Sequence, residues 1–108
     1  MTRYILTEVE DVIPEPIIFE WDRGNLDKSF KKHGVTNEES EQVFLNIPSV
    51  LIEDEKHSKK EKRLLLLGKT DKGRLLSVIF TTRVIKKVRI ISARTMSKKE
   101  RKLYVEET

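Results

Sequence analysis

The chain has no cysteine among its 108 residues, which excludes both disulfide staples and thiolate zinc sites. Its apolar runs are short, far below the roughly 20 residues that a membrane-spanning helix needs. The N-terminus has no basic segment leading into an apolar signal core, so a soluble cytoplasmic protein with no membrane association is expected. Gly-rich phosphate loops are missing, which argues against a nucleotide cofactor. The two histidines, His33 and His57, lie far apart in sequence, and no acidic cluster has ligand spacing, so no metal is expected. A chain of this length suits one domain with a single modest core.

What is abundant is charge, and it is unevenly placed. Residues 1–55 carry 5 Lys/Arg against 13 Asp/Glu, residues 56–103 carry 17 against 3, and residues 104–108 carry 0 against 2. The C-terminal half is therefore a polycation. Such a concentrated potential attracts phosphate backbones or an acidic protein partner. A merely solvated face would not have to be so one-sided.

The pattern along the chain predicts the order β-α-α-β-β-β-β-α. Residues 1–16 are acidic and contain Pro14 and Pro16. Three readings stand open for them: a loose tail, an edge strand built on Tyr4-Ile5-Leu6, or a strap over the basic face. Ile17 to Trp21 is β-prone, and Asp22 with Gly24 ends it and opens a helix on which Leu26, Phe30 and His33 share one face. Gly34 fits the left-handed position after that helix, with Val35 beyond it expected to touch Phe30. Thr36 and Glu39 form a capping box for a second helix, whose Val43 and Phe44 point to the core and which ends at Pro48. Strands follow at Val50-Leu51-Ile52, Arg63 to Leu67, Leu75 to Thr82 and Val88 to Ala93. Their short, turn-rich connections, such as Thr70 to Gly73, favour an antiparallel meander over βαβ crossovers. Ser97 and Glu100 cap a final helix that includes Leu103 and Tyr104.

Several blocks fall in a fixed order: Phe19-Glu20-Trp21-Asp22, Lys31-Lys32-His33-Gly34-Val35, Asp54 to Ser58, Gly73-Arg74-Leu75-Leu76, Phe80-Thr81-Thr82-Arg83, and Arg89 to Arg94 running into Lys98-Lys99-Glu100-Arg101. Together they make the chain resemble the BrnT family of toxins from bacterial type II toxin–antitoxin pairs, over roughly residues 17 to 107. The resemblance implies an α+β, RelE-like fold: a small antiparallel sheet of four to five strands, two N-terminal helices and one C-terminal helix. It divides the chain into an acidic extension at 1–16 and a BrnT-like toxin domain at 17–108. It also implies a metal-independent endoribonuclease that inhibits translation and is neutralised by a BrnA-like ribbon-helix-helix antitoxin, with operator DNA bound only through that antitoxin. Asn25 stands where the family often has lysine, and Ser29 where it often has asparagine. These departures favour the alternative of a catalytically decayed homologue serving as an interaction module. A plain RNA- or DNA-binding domain rests on basic charge alone.

Cleaving RNA without a metal needs a base for the 2′-hydroxyl, a cation on the phosphate and an acid for the leaving oxygen. Arginine suits the second role, because its planar fork grips phosphate bidentately. Arg83 and Arg94 are the candidates, and turn positions place them about six residues apart along the sheet, roughly 20 Å. Arg83 is expected near Lys59, Glu61 and Arg89, with Arg63 toward the Arg94 end. Arg94 precedes a helix N-terminus whose first turn holds Lys98 and Lys99, a placement that makes sense if an anion binds there. Its alternative is a salt bridge to the acidic first-helix region or an antitoxin contact. His33 is the leading proton-transfer candidate at a helix C-terminus, against a partly buried histidine sharing a face with Leu26 and Phe30. His57 lies in a polar loop where a solvated histidine is the commoner case. Glu61 is a possible base, against a cross-strand pair with Arg83. Trp21 is either a base-stacking platform or a core residue. Lys32, Arg63, Arg89, Lys98 and Lys99 complete the RNA-binding set.

Overall fold

A computed structural model describes residues 3–4, 16–54, 62–83 and 87–108. In chain order the elements are β1 (Arg3–Tyr4), β2 (Ile18–Phe19), α1 (Lys28–His33), α2 (Asn37–Leu45), β3 (Val50–Asp54), β4 (Arg63–Lys69), β5 (Leu75–Arg83), β6 (Lys87–Thr95) and α3 (Lys98–Glu107). The fold is α+β, as the sequence pattern indicates. Strands β3 to β6 form the antiparallel meander expected from their short connections. Among the described residues no helix is long and apolar enough to cross a membrane.

The sheet is wider than four or five strands and is not purely antiparallel. Its order is β1-β3-β4-β5-β6-β2, six strands. Strand β1 adds antiparallel to β3, so Tyr4 belongs to an edge strand; Ile5 and Leu6 lie outside the described residues. Strand β2 lies parallel to β6, with Phe19 beside Val88. That pairing joins chain segments far apart in sequence, and nothing in the local pattern at Ile18–Phe19 encodes its direction.

Strand β4 explains why the domain has two cores. Successive side chains of a strand point to opposite faces, and Leu64 to Leu67 are apolar at every position. Both faces must therefore be covered. Leu64 and Leu66 join Val43, Phe44, Val78, Phe80 and Ile90 beneath α2. Leu65 and Leu67 join Val50, Ile52, Met96, Leu103 and Tyr104 beneath α3. Phe44 ties the first core together: its ring meets Phe19 edge-on at 5.3 Å and Phe80 at 4.9 Å. Close seating of α2 on β4 depends on Gly68, where a Cβ would lie 2.8 Å from Val43 Cγ1 and 3.3 Å from the Val43 carbonyl oxygen.

The helix ends follow their sequence signals. Both capping boxes form, Thr36 with Glu39 and Ser97 with Glu100. Gly34 adopts a left-handed conformation with φ 68°, and its N–H donates to the Phe30 carbonyl. Helix α1 departs from expectation in two ways. It begins only at Lys28, after a turn, and buries none of its residues. Leu26 and Phe30 are 49% and 55% exposed, so the face they share with His33 looks to solvent. Polar contacts hold this segment instead. Asn25 is buried, accepting from the Asp22 N–H at 2.8 Å and donating to the Glu20 and Ile90 carbonyls at 2.9 Å each. Ser29 Oγ accepts from the Ala93 N–H of β6 at 2.8 Å. The two residues that depart from the family pattern thus anchor α1 to the sheet.

Candidate functional site

The β4–β5 ladder pairs Arg63 with Thr81, and the β5–β6 ladder pairs Thr81 with Arg89. These three residues form a row across β4, β5 and β6 near one end of the sheet, on the face that carries Leu65 and Leu67. Two positions beyond Thr81, Arg83 stands opposite Lys87 at the strand ends. Arg63 therefore sits at the Arg83 end of the sheet, not toward Arg94. The reason is the hairpin loop, which closes at Lys69 and Leu75 and slides Arg63 along β5. Arg94 pairs with Ser77, six positions from Arg83. The separation expected between those two arginines holds, although a bulge between Ile79 and Phe80 interrupts the ladder between them.

Arg89 is the best-fixed cation. Its Nη1 donates to Asp22 Oδ2 at 2.6 Å and Glu20 Oε1 at 3.4 Å, and its Nη2 donates to Asp22 Oδ1 at 3.0 Å. The hydrogen bond to Asp22 raises the pKa of this guanidinium further, outweighing the opposing effect of burial. The acidic pair of the Phe19-to-Asp22 block therefore orients an arginine far away in sequence. No local signal announces that pairing.

At the other end, Arg94 forms a bidentate pair with Glu100, at 2.7 and 3.0 Å. Glu100 Oε1 also accepts from the Ser97 N–H at 2.8 Å, and Oε2 accepts from Ser77 Oγ at 3.3 Å. Burial pushes the Glu100 pKa up, but the bonds from Arg94 and Ser97 and the charge of Arg94 prevail and hold it below the usual carboxylate value. The anion at this helix N-terminus is thus the helix's own third residue. Arg94 salt-bridges α3 rather than the first-helix region. Its place just before a Ser-x-x-Glu box was the available signal, because that box turns the carboxylate back toward the incoming chain.

Other candidates are dispersed. His33 is exposed at the end of α1, and the carbonyl of the next residue, Gly34, accepts from Arg74 Nη1 at 3.0 Å. Arg74 immediately precedes β5, so His33 lies at the opposite end of that strand from Arg83. Lys32 is exposed beside it. Trp21 packs against the first core and donates from Nε1 to Glu41 Oε2 at 2.6 Å. Lys98 and Lys99 are exposed in the first turn of α3. Lys99 and Lys102 rim a cavity of about 470 Å³ between α3 and the sheet, floored by Ile52, Leu65 and Leu103. Leu65 is the next same-face residue after Arg63, so this cavity adjoins the arginine row. His57 and Glu61 lie outside the described residues. Among the described residues, no three His, Cys, Asp or Glu side chains form a group that could hold a metal ion.

Arginines gathered on one end of a sheet face are suited to phosphate. No curated protein matches the chain. The model of one family, described as the ribonuclease toxin, BrnT, of type II toxin–antitoxin systems, matches residues 21–100, most of the chain, including both capping boxes and every strand of the meander. The chain belongs to the BrnT family of ribonuclease toxins.

Proposed function

We propose that this protein is the toxin of a type II toxin–antitoxin pair and that it cleaves RNA internally without a metal, inhibiting translation in the cytoplasm. The observation that carries this beyond family membership is the register that puts Arg63, Arg83 and Lys87 at one end of the sheet, beside an Arg89 that Asp22 and Glu20 orient. Cations in that arrangement neutralise the phosphate in the crowded transition state of 2′-hydroxyl attack. Arg83 takes the phosphate role. Glu61 and His57, two and six positions before Arg63 in sequence, take base and acid roles. His33 and Arg94 rank behind them: the first lies at the far end of β5, and the second stands opposite Ser77, six positions along β5 from Arg83.

The product ends follow from this chemistry. Attack by the 2′-hydroxyl leaves a 2′,3′-cyclic phosphate and a 5′-hydroxyl. The partner is a BrnA-like ribbon-helix-helix antitoxin that covers part of the basic surface, with operator DNA engaged through the antitoxin alone. End-labelled single-stranded RNA incubated in excess EDTA tests the proposal. Wild-type protein gives cyclic-phosphate ends, Arg83→Ala and His57→Ala lose at least tenfold, and His33→Ala retains more activity than either. Intact RNA with retained binding would instead indicate a decayed, non-catalytic module.

A further inference from the structure

The cavity between α3 and the sheet, at about 470 Å³, falls within the range of about 300–1,000 Å³ in which proteins bind small ligands. Its floor is apolar, formed by Ile52, Leu65 and Leu103. Its rim is charged. Lys99, Lys102 and Glu106 share one face of α3 with Leu103, and all four line the cavity. Among the described residues no hydrogen bond or ion pair engages these three charged side chains. Nor do they serve the helix. Its dipole favours anions in the first turn and cations in the last, and Lys99 and Glu106 stand the other way round.

A ligand that suits this cavity presents an apolar face, a negative group and a hydrogen-bond donor together. An acidic peptide supplies the first two, but it meets the Glu106 carboxylate with charge of the same sign. An RNA nucleotide supplies all three: a base face for the aliphatic floor, a phosphate for the lysines and an exocyclic amino group for the carboxylate. The position fits as well. Leu65 lies two residues beyond Arg63 on the same face of β4, about 7 Å along the strand, so RNA held at the Arg83 end of the sheet can lay a neighbouring base there. We infer that the cavity is a nucleobase subsite, in which Ile52, Leu65 and Leu103 cover one face of the base, Lys99 and Lys102 neutralise the adjoining phosphate, and Glu106 accepts from an exocyclic amino group. Uracil carries a carbonyl where cytosine carries that amino group, and is disfavoured. The inference deepens the ribonuclease reading and rests on it for RNA as the ligand.

The test measures binding of labelled 2′-O-methyl oligonucleotides, which lack the attacking hydroxyl, to the full chain by fluorescence anisotropy. The probes are oligocytidylate, oligouridylate and an abasic chain of equal length. Wild type binds the cytidine chain about tenfold more tightly than the uridine chain, the discrimination expected for one hydrogen bond to a charged group, and binds the abasic chain most weakly. Glu106→Gln brings uridine level with cytidine, because an amide both accepts from an amino group and donates to a carbonyl, and its Tm does not fall. Lys99→Ala with Lys102→Ala weakens all three probes and lowers the slope of log affinity against log salt by about two. Equal binding of cytidine and uridine by wild type, or a preference that survives Glu106→Gln, overturns the subsite. So does oligoglutamate that binds as tightly as oligocytidylate and is lost with the same lysines, a result that gives the cavity to a protein partner. If the base preference depends on Glu106 while unmodified RNA stays intact, the subsite stands and the ribonuclease reading falls. Cleavage of RNA without that preference keeps the reading and removes the subsite.

Discussion

Replacing Asn25 with alanine should be among the most damaging polar substitutions in this domain. The residue is 4% exposed, and its amide uses one acceptor and two donors on three backbone groups: Asp22 N–H, Glu20 C=O and Ile90 C=O. Each such bond contributes about 1 kcal/mol net, so losing all three costs about 3 kcal/mol. For a domain near this size that corresponds to a fall in Tm of about 10–20 °C. Urea or thermal denaturation followed by circular dichroism reads the change directly. Ser29→Ala is the internal comparison, because it removes a single bond to the Ala93 N–H and should cost about 1 kcal/mol. Asn25→Asp keeps the acceptor for Asp22 but turns carboxylate oxygen toward two carbonyls, so it should be no better than alanine at neutral pH. A loss below about 1 kcal/mol for Asn25→Ala, or one no larger than for Ser29→Ala, would refute the idea that these side chains hold α1 in place of an apolar face.

Acid should unfold the protein in a way that depends on Glu39 and Glu100, both held below their usual pKa of 4.5. For Glu39 burial raises the value, but bonds from the Thr36 backbone and Arg74 and the charge of Arg74 lower it further. A carboxylate depressed in the folded state stabilises it above the unfolded pKa and loses that contribution as pH falls through the folded value. Stability should therefore drop below about pH 4.5, and Glu39→Gln with Glu100→Gln should flatten that drop in a denaturation series. Gly68→Ala should cost about 1–3 kcal/mol by overpacking, because its Cβ meets Val43 at 2.8 Å; an unchanged Tm would mean that α2 can lift off β4 freely. Phe30→Ser should lie within about 0.5 kcal/mol of wild type, since Phe30 is 55% exposed, and a large loss would return it to the core.

Much of this fold could be read locally. The capping boxes, the left-handed Gly34 and the four meander strands each depend on residues within a few positions of one another, and all form. The i, i+4 spacing of Leu26 and Phe30 misled, because a six-residue helix pinned by Asn25 and Ser29 does not need to bury its apolar stripe. The site was less legible. The distance between Arg83 and Arg94 follows from counting along strands, but the place of Arg63 turned on where one hairpin loop closes. Bonds joining Asp22 and Glu20 to Arg89 link opposite ends of the chain and left no trace in spacing. The cavity under α3 could not be singled out at all, since the space between a helix and a sheet is a property of the packed state alone.

The parallel seam between β2 and β6 constrains how the molecule comes into being on the ribosome. Residues Ile18 and Phe19 leave the exit tunnel early, but their partners Lys87 and Val88 are made near the end of the chain. The acids that orient Arg89 wait with them, and the row through Arg63 and Thr81 has no third member until the last strand emerges. The sheet therefore closes on β2, and Arg89 gains the acids that orient it, only when nearly the whole chain has been made.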